Sequence, residues 1–218
     1  MDRPDFSSYL AHFTVGRQPF SKAVTNPTLQ FKGMKAVDRL ENILKSKKIF
    51  ASRLPWNNKE AVCLTECPWG SLLAHAKTYS PYGVGFTKEF VFSRSGGPAF
   101  YVRSDLYDKQ QWSDDLHKFV TPFWPEYRPA ELKHYGAMKG RTVDYSHERE
   151  WRVPVDLEFE YEDIAFVVLN DYRDMAKFSR ALKDKIGRDK FFLMENYGGF
   201  KYEAQHGLTR HETPRAGS

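Results

Sequence analysis

Short apolar stretches alternate with polar breaks along this chain, and the spacing of the apolar positions switches between the strand period of two and the helical period of about 3.6. Residues 9–14 read as a strand, and the polar stretch after it, with Pro19 and Asn26-Pro27, reads as a loop. Over residues 36–47, Val37, Leu40, Ile43 and Leu44 recur at helical spacing, which predicts a helix feeding a strand at 49–53. Residues 61–65 have strand character until Pro68 stops them, and 71–79 can form two helical turns. Residues 82–92 alternate small, apolar and aromatic side chains, and Ser95-Gly96-Gly97-Pro98 turns the chain into 99–103, so the pattern predicts a hairpin at the centre of a sheet. The stretch 105–144, interrupted by Pro122, Pro125 and Pro129, reads as short helices joined by loops. Beyond it the pattern predicts strands at 148–155 and 164–169, a helix over 171–186 and a short strand at 191–194.

Strands and helices therefore mix without strict βαβα alternation, and neither common glycine-rich phosphate loop is present. The expectation is one α+β domain over residues 1–205, a mixed sheet with flanking helices, followed by a mobile tail at 206–218.

Composition adds limits to that picture. With 41% hydrophobic, 28% charged and 16% aromatic residues among 218, the chain falls outside the disordered and collagen-like classes. Only Cys63 and Cys67 occur, which excludes a disulfide framework, and no signal-like start is seen, so a reducing cytoplasm is expected. The longest purely apolar run, 164–169, is far short of the roughly 20 residues that span a bilayer, so no membrane partner is expected. The net charge of +5 favours polyanions without requiring them, and Lys45, Lys47 and Lys48 form a dense cluster that reads equally as a solvated helix end.

The sharpest chemical feature is Glu148-Arg149-Glu150-Trp151-Arg152. On a strand, the period of two sets Glu148, Glu150 and Arg152 on one face and Arg149 and Trp151 on the other. Such a face can hold a proton acceptor beside a charge stabiliser, or it can simply be a salt-bridged strand surface. His12 and Thr14, two residues apart on the first strand, point to one side and can bond one ligand. The segment 79–86 sets aromatics beside Gly83 and Gly85, which marks either a ligand approach or ordinary packing at a bend.

Taken in order, His12-Phe13-Thr14, residues 40–43, 62–68, 79–86, 97–101 and Glu148 to Val153 resemble the bacterial abortive-infection AbiGi family of phage-resistance proteins. That family carries an antitoxin label. The same order of parts, a His-x-Thr first strand, a helix, an aromatic on a middle strand and a late Glu-x-Glu, resembles ADP-ribosyltransferases, and it implies a split sheet around an NAD cleft. The resemblance implies an NAD-dependent toxin or phage-defence effector in which Glu150 stabilises the ribose cation and Glu148 activates the acceptor. His12 and Thr14 would hold the ribose and nicotinamide amide, Tyr82 or Phe86 would stack on the nicotinamide ring, and Arg152 would meet the pyrophosphate. Tyr79 and Tyr101 are further candidates for the stacking ring. A nucleic acid is the favoured acceptor, and a cognate toxin or antitoxin protein is the implied partner. The alternative is a non-catalytic antitoxin or protein-binding module that keeps the fold.

Other chemistries have less behind them. Glu131-Leu132-Lys133 has a nuclease-like form that chance supplies about twice in this composition. Cys63, Cys67 and His75 lack the fourth ligand of a structural zinc site, so no metal is expected, and no nucleophile elbow is present.

Overall fold

The computed structural model describes residues 6–15, 34–66, 76, 80–127 and 142–197. The chain is α+β, with one large mixed sheet, two small two-stranded sheets and several short helices. Among the described residues twelve strands run in chain order: β1 (Tyr9–Phe13), β2 (Lys48–Ile49), β3 (Ser52–Arg53), β4 (Glu60–Glu66), β5 (Gly83–Thr87), β6 (Gly97–Pro98), β7 (Phe100–Arg103), β8 (Val120–Phe123), β9 (Glu150–Val153), β10 (Leu157–Glu158), β11 (Ile164–Leu169) and β12 (Phe191–Leu193). The large sheet has the order β12-β11-β5-β1-β4-β9-β6, with β3 paired on β4. Only β11 and β12 run parallel within it.

Alternation gives this sheet two different faces. One carries Leu10, Leu64, Val84, Phe86 and Val153 against Val37, Leu40 and Leu44 of the helix Ala36–Ser46, and against Phe178, Leu182 and Ile186. The other carries Ala11, Phe166 and Val168 against Ala76 and Met194. Gly85 lies where a Cβ would fall 2.3 Å from the Phe166 ring, so the glycine makes room for a core side chain.

Several elements depart from the sequence pattern for identifiable reasons. The expected hairpin between 82–92 and 99–103 does not form. Instead β5 ends at Thr87, whose hydroxyl accepts from the Phe90 amide and starts the helix Lys88–Ser93. β7 then pairs with β8 in a separate parallel sheet, although Pro122 lies in β8. The strand expected at 49–53 is two strands, because β2 pairs with β10 while β3 pairs with β4. The helix expected over 171–186 is broken into Tyr172–Lys177 and Arg180–Ile186, since buried Phe178 turns extended and Ser179 caps a new start. The expected turns at 71–79, apart from Ala76, and the tail at 206–218 lie outside the described residues. Among the described residues no helix is long and apolar enough to cross a membrane.

Candidate functional site

Antiparallel pairing sets Thr65 opposite Glu150 and Cys63 opposite Arg152, so these four side chains share one face of the large sheet. Glu150 is 8% exposed and Arg152 is fully buried. A buried guanidinium must use all of its donors, and this one does. Its Nε and Nη2 donate to the two Glu150 oxygens at 2.9 and 2.8 Å, Nη1 donates to the carbonyls of Lys118 and Val120, and Nη2 also donates to Thr121 Oγ1. The Trp56 ring covers the guanidinium at 5.1 Å. Arg152 therefore ties β9 to β8, and the expectation that it meets a pyrophosphate is corrected: no N–H is left to donate.

Glu148 does not share that face. It ends the turn Ser146–Glu148, and Arg149 adopts the left-handed conformation at φ 45° before the strand begins at Glu150. The expected Glu-x-Glu strand pair is thus corrected to one strand carboxylate and one turn carboxylate. Tyr101 on β7 lies beside both. Its hydroxyl donates to the Tyr145 carbonyl at 2.9 Å, and burial, reinforced by the Glu150 charge, pushes its pKa up. Burial also raises the Cys63 thiol, with Glu150 adding to the effect, so this thiol is no ready nucleophile.

His12 occupies a seam in the sheet. β1 pairs with β5 along its whole length and with β4 at Leu10 and Ala11, so His12 lies just past the β1–β4 ladder. Register sets Ala11, not His12, on the face of Thr65 and Glu150. The His12 ring instead reaches across the seam, and Nδ1 donates to the Cys63 carbonyl at 2.9 Å. A carbonyl only accepts, so Nδ1 carries the proton and Nε2 is the acceptor in the neutral ring. Burial lowers the His12 pKa, against the opposing pull of that carbonyl. The single NAD cleft expected to hold both His12 and Glu150 is corrected: they lie on opposite faces of the sheet and are linked through Cys63 of β4, whose carbonyl holds His12 and whose side chain lies opposite Arg152.

Thr14 is buried, and its hydroxyl donates to the Ala36 carbonyl at 2.7 Å while Ser80 donates to its own carbonyl. It fixes the entry to the first helix rather than presenting a hydroxyl to a ligand. Phe86 is fully buried between Phe90 and Phe159, which corrects its assignment as a stacking platform. Tyr82 donates its hydroxyl to Asp174 at 2.7 Å and packs at the edge of the same core. Tyr101 is the register partner of Thr121, which Arg152 reaches, and Tyr79 lies outside the described residues.

Sequence reasoning missed Lys118, Thr121 and Trp56, the far side of the Arg152 network, because contact between β9 and a strand thirty positions away leaves no local pattern. It also missed Glu66, buried at the end of β4 between the Ser7 amide, Lys88 at 2.9 Å and Arg149 at 3.7 Å. An open cavity of about 500 Å³ lies elsewhere, lined by Ala51, Lys59, Glu60, Lys118 and Asp156, and it includes neither His12 nor Glu150. The lysine cluster is paired with acids: Lys45 with Glu41, Lys47 with Glu160, and Lys48 with Asp156 and Glu158. Among the described residues no group of three or more His, Cys, Asp or Glu could hold a metal ion, and Cys67, His75 and Glu131 to Lys133 lie outside them. No family model, curated protein or solved structure matches this chain.

Proposed function

We propose that this chain is an NAD-consuming transferase with an ADP-ribosyltransferase-like sheet, serving as a defence effector, and that Glu150 is its reacting carboxylate. The observation that carries the reading is the strand order β5-β1-β4-β9, which gathers the segment after Tyr82, the His12 strand and the Glu150 strand into the middle of one sheet, with β4 between the last two. Parts more than sixty residues apart in sequence share that sheet.

Breaking the bond between ribose and nicotinamide leaves positive charge on the ribose, and a carboxylate bonded to a ribose hydroxyl stabilises it. A carboxylate has about four acceptor positions; the Arg152 fork takes two and the Cys63 thiol reaches a third, which leaves Glu150 one for such a hydroxyl. Arg152 then acts as a positioning residue that fixes the carboxylate. His12, on the other face of the sheet, contributes to the scaffold through the Cys63 carbonyl, and Tyr101, paired across β7 and β8 with the Thr121 that Arg152 reaches, supplies the aromatic wall. Thr14 and Phe86 contribute only to the scaffold. Glu148, in the turn before β9, keeps the acceptor-activating role in this reading.

A second reading, a non-catalytic antitoxin or protein-binding module on the same fold, is favoured by one observation: the closure of Arg152 over Glu150 leaves little of the carboxylate in contact with solvent. The two readings separate on NAD. The transferase releases nicotinamide from NAD and is stabilised by it, and the module does neither. The Glu150→Gln/Arg152→Met pair removes both charges together, so a folded variant can be compared directly. Loss of turnover by about a hundredfold or more is expected, and retained turnover in that folded variant would exclude Glu150 as the reacting group.

A further inference from the structure

Outside the site, the described residues include a helical surface with a modest excess of cations, among them Arg173 paired with Asp171 and Lys177 paired with Asp174. Between Asp171 and Lys190 the chain holds seven Lys or Arg against four Asp, on the helices Tyr172–Lys177 and Arg180–Ile186 and the turn Arg188–Lys190 that comes after them. Burial sorts these residues cleanly. Asp171, Asp174, Phe178, Leu182 and Ile186 face inward, while Tyr172 at 67% and Arg173 and Arg180 at 88% stand in solvent. Asp184 is shared by Arg180 and Arg188, and Lys183 donates to the Met175 carbonyl, which locks the second helix onto the first. Tyr172 and Arg173 stand side by side at the start of the first helix, so the exposed ring has a cation next to it.

The inward side of these helices is anchored to the sheet. Asp174 accepts from the Tyr82 hydroxyl, the Tyr82 carbonyl accepts from the Thr14 amide, and β11, which precedes the helices, pairs with Gly83 of β5.

We infer that the helices Tyr172–Lys177 and Arg180–Ile186 form a docking face for single-stranded nucleic acid, with Arg173, Arg180, Lys185 and Arg188 contacting phosphates and Tyr172 stacking on a base. Excess cations complement a phosphate chain, and an exposed ring beside them accepts an unpaired base, which a duplex does not offer. This deepens the acceptor half of the transferase reading and rests on that reading only for the transfer step after binding.

The test is fluorescence anisotropy of a labelled oligothymidylate of about a dozen nucleotides, titrated without NAD into the full chain across a salt series. Arg180→Gln/Lys185→Gln/Arg188→Gln should bind about tenfold or more weakly at roughly 0.1 M salt, with a shallower salt dependence. Tyr172→Ala should bind roughly fivefold or more weakly with the slope unchanged. Wild-type affinity and slope in the triple variant would overturn the proposal, as would wild-type protein that ignores the oligonucleotide and binds anionic phosphatidylserine vesicles instead. The transferase reading fails separately: oligonucleotide binding that depends on these residues, in protein that never releases nicotinamide from NAD, leaves this face standing and removes the chemistry.

Discussion

The buried Glu150–Arg152 pair and the water-facing pairs of Lys47 and Lys48 use the same chemistry at opposite ends of the burial scale. Arg152 is fully buried with every donor satisfied, whereas Lys48 bridges Asp156 and Glu158 with all three side chains open to solvent. Inside, removing one partner leaves a charge that water cannot reach, and outside, water replaces the partner. Charge pairing in this molecule is therefore architecture at β9 and surface dressing at β2 and β10. A single substitution at Glu150 accordingly disturbs the fold as well as any chemistry.

The steepest loss of stability comes from that difference. Glu150→Gln and Arg152→Met, each alone, should destabilise the protein by about 3–5 kcal/mol, as breaking buried ion pairs does. The two together should recover most of the loss, since no uncompensated charge remains. Urea denaturation of the three variants measures this directly. Single variants within about 1 kcal/mol of wild type would mean that the pair is as dispensable as the surface ones, and the contrast between the regions would collapse.

His12 is a case between the two extremes, an ionisable ring packed in the seam without a counter-charge. Burial holds its pKa below the ordinary value of 6.5, so the unfolded chain binds a proton there before the folded one does. Stability from this group is thus fully present above about pH 6.5 and falls as the pH drops toward the lower folded value. His12→Asn keeps a donor for the Cys63 carbonyl and removes the titration, so its urea midpoint should fall less steeply between about pH 7 and 5 than that of wild type. Parallel pH profiles for the two proteins would show that His12 titrates as if solvated.

Much of the architecture was legible because it rests on local periodicity. β1, β11, β12 and the helix Ala36–Ser46 are recoverable from apolar spacing within a few residues of their bounds. What failed depends on long-range or conformational causes. The Lys88–Ser93 helix was masked by aromatics at Phe86, Phe90 and Phe92 that mimic strand alternation, although Thr87 with Glu89 two positions on was a readable start signal. Nothing near Arg149 announces its left-handed turn, so Glu148 was placed on a strand that it precedes. At the site, the sequence singled out Glu150 and His12, but their surroundings come from β4, β7 and β8. Only pairing across the sheet shows that Arg152 and Thr14 are already occupied by the protein itself.

The mildest change belongs to the surface. Asp156, then Glu158, raises the Lys48 pKa through hydrogen bonds, so what the pair adds is present below the ordinary lysine range and is lost as the pH climbs above it. Around neutral pH, Lys48→Met should shift the melting temperature less than any buried-pair variant. The residual shift should disappear near 1 M salt, where the screening length falls to about 3 Å. The melting temperatures of wild type and variant, compared at low and high salt, check both parts. A loss that persists at high salt would mean that the Lys48 stem, whose ammonium lies 5.2 Å from the centre of the Phe50 ring, holds β2 against β10 by packing rather than by charge.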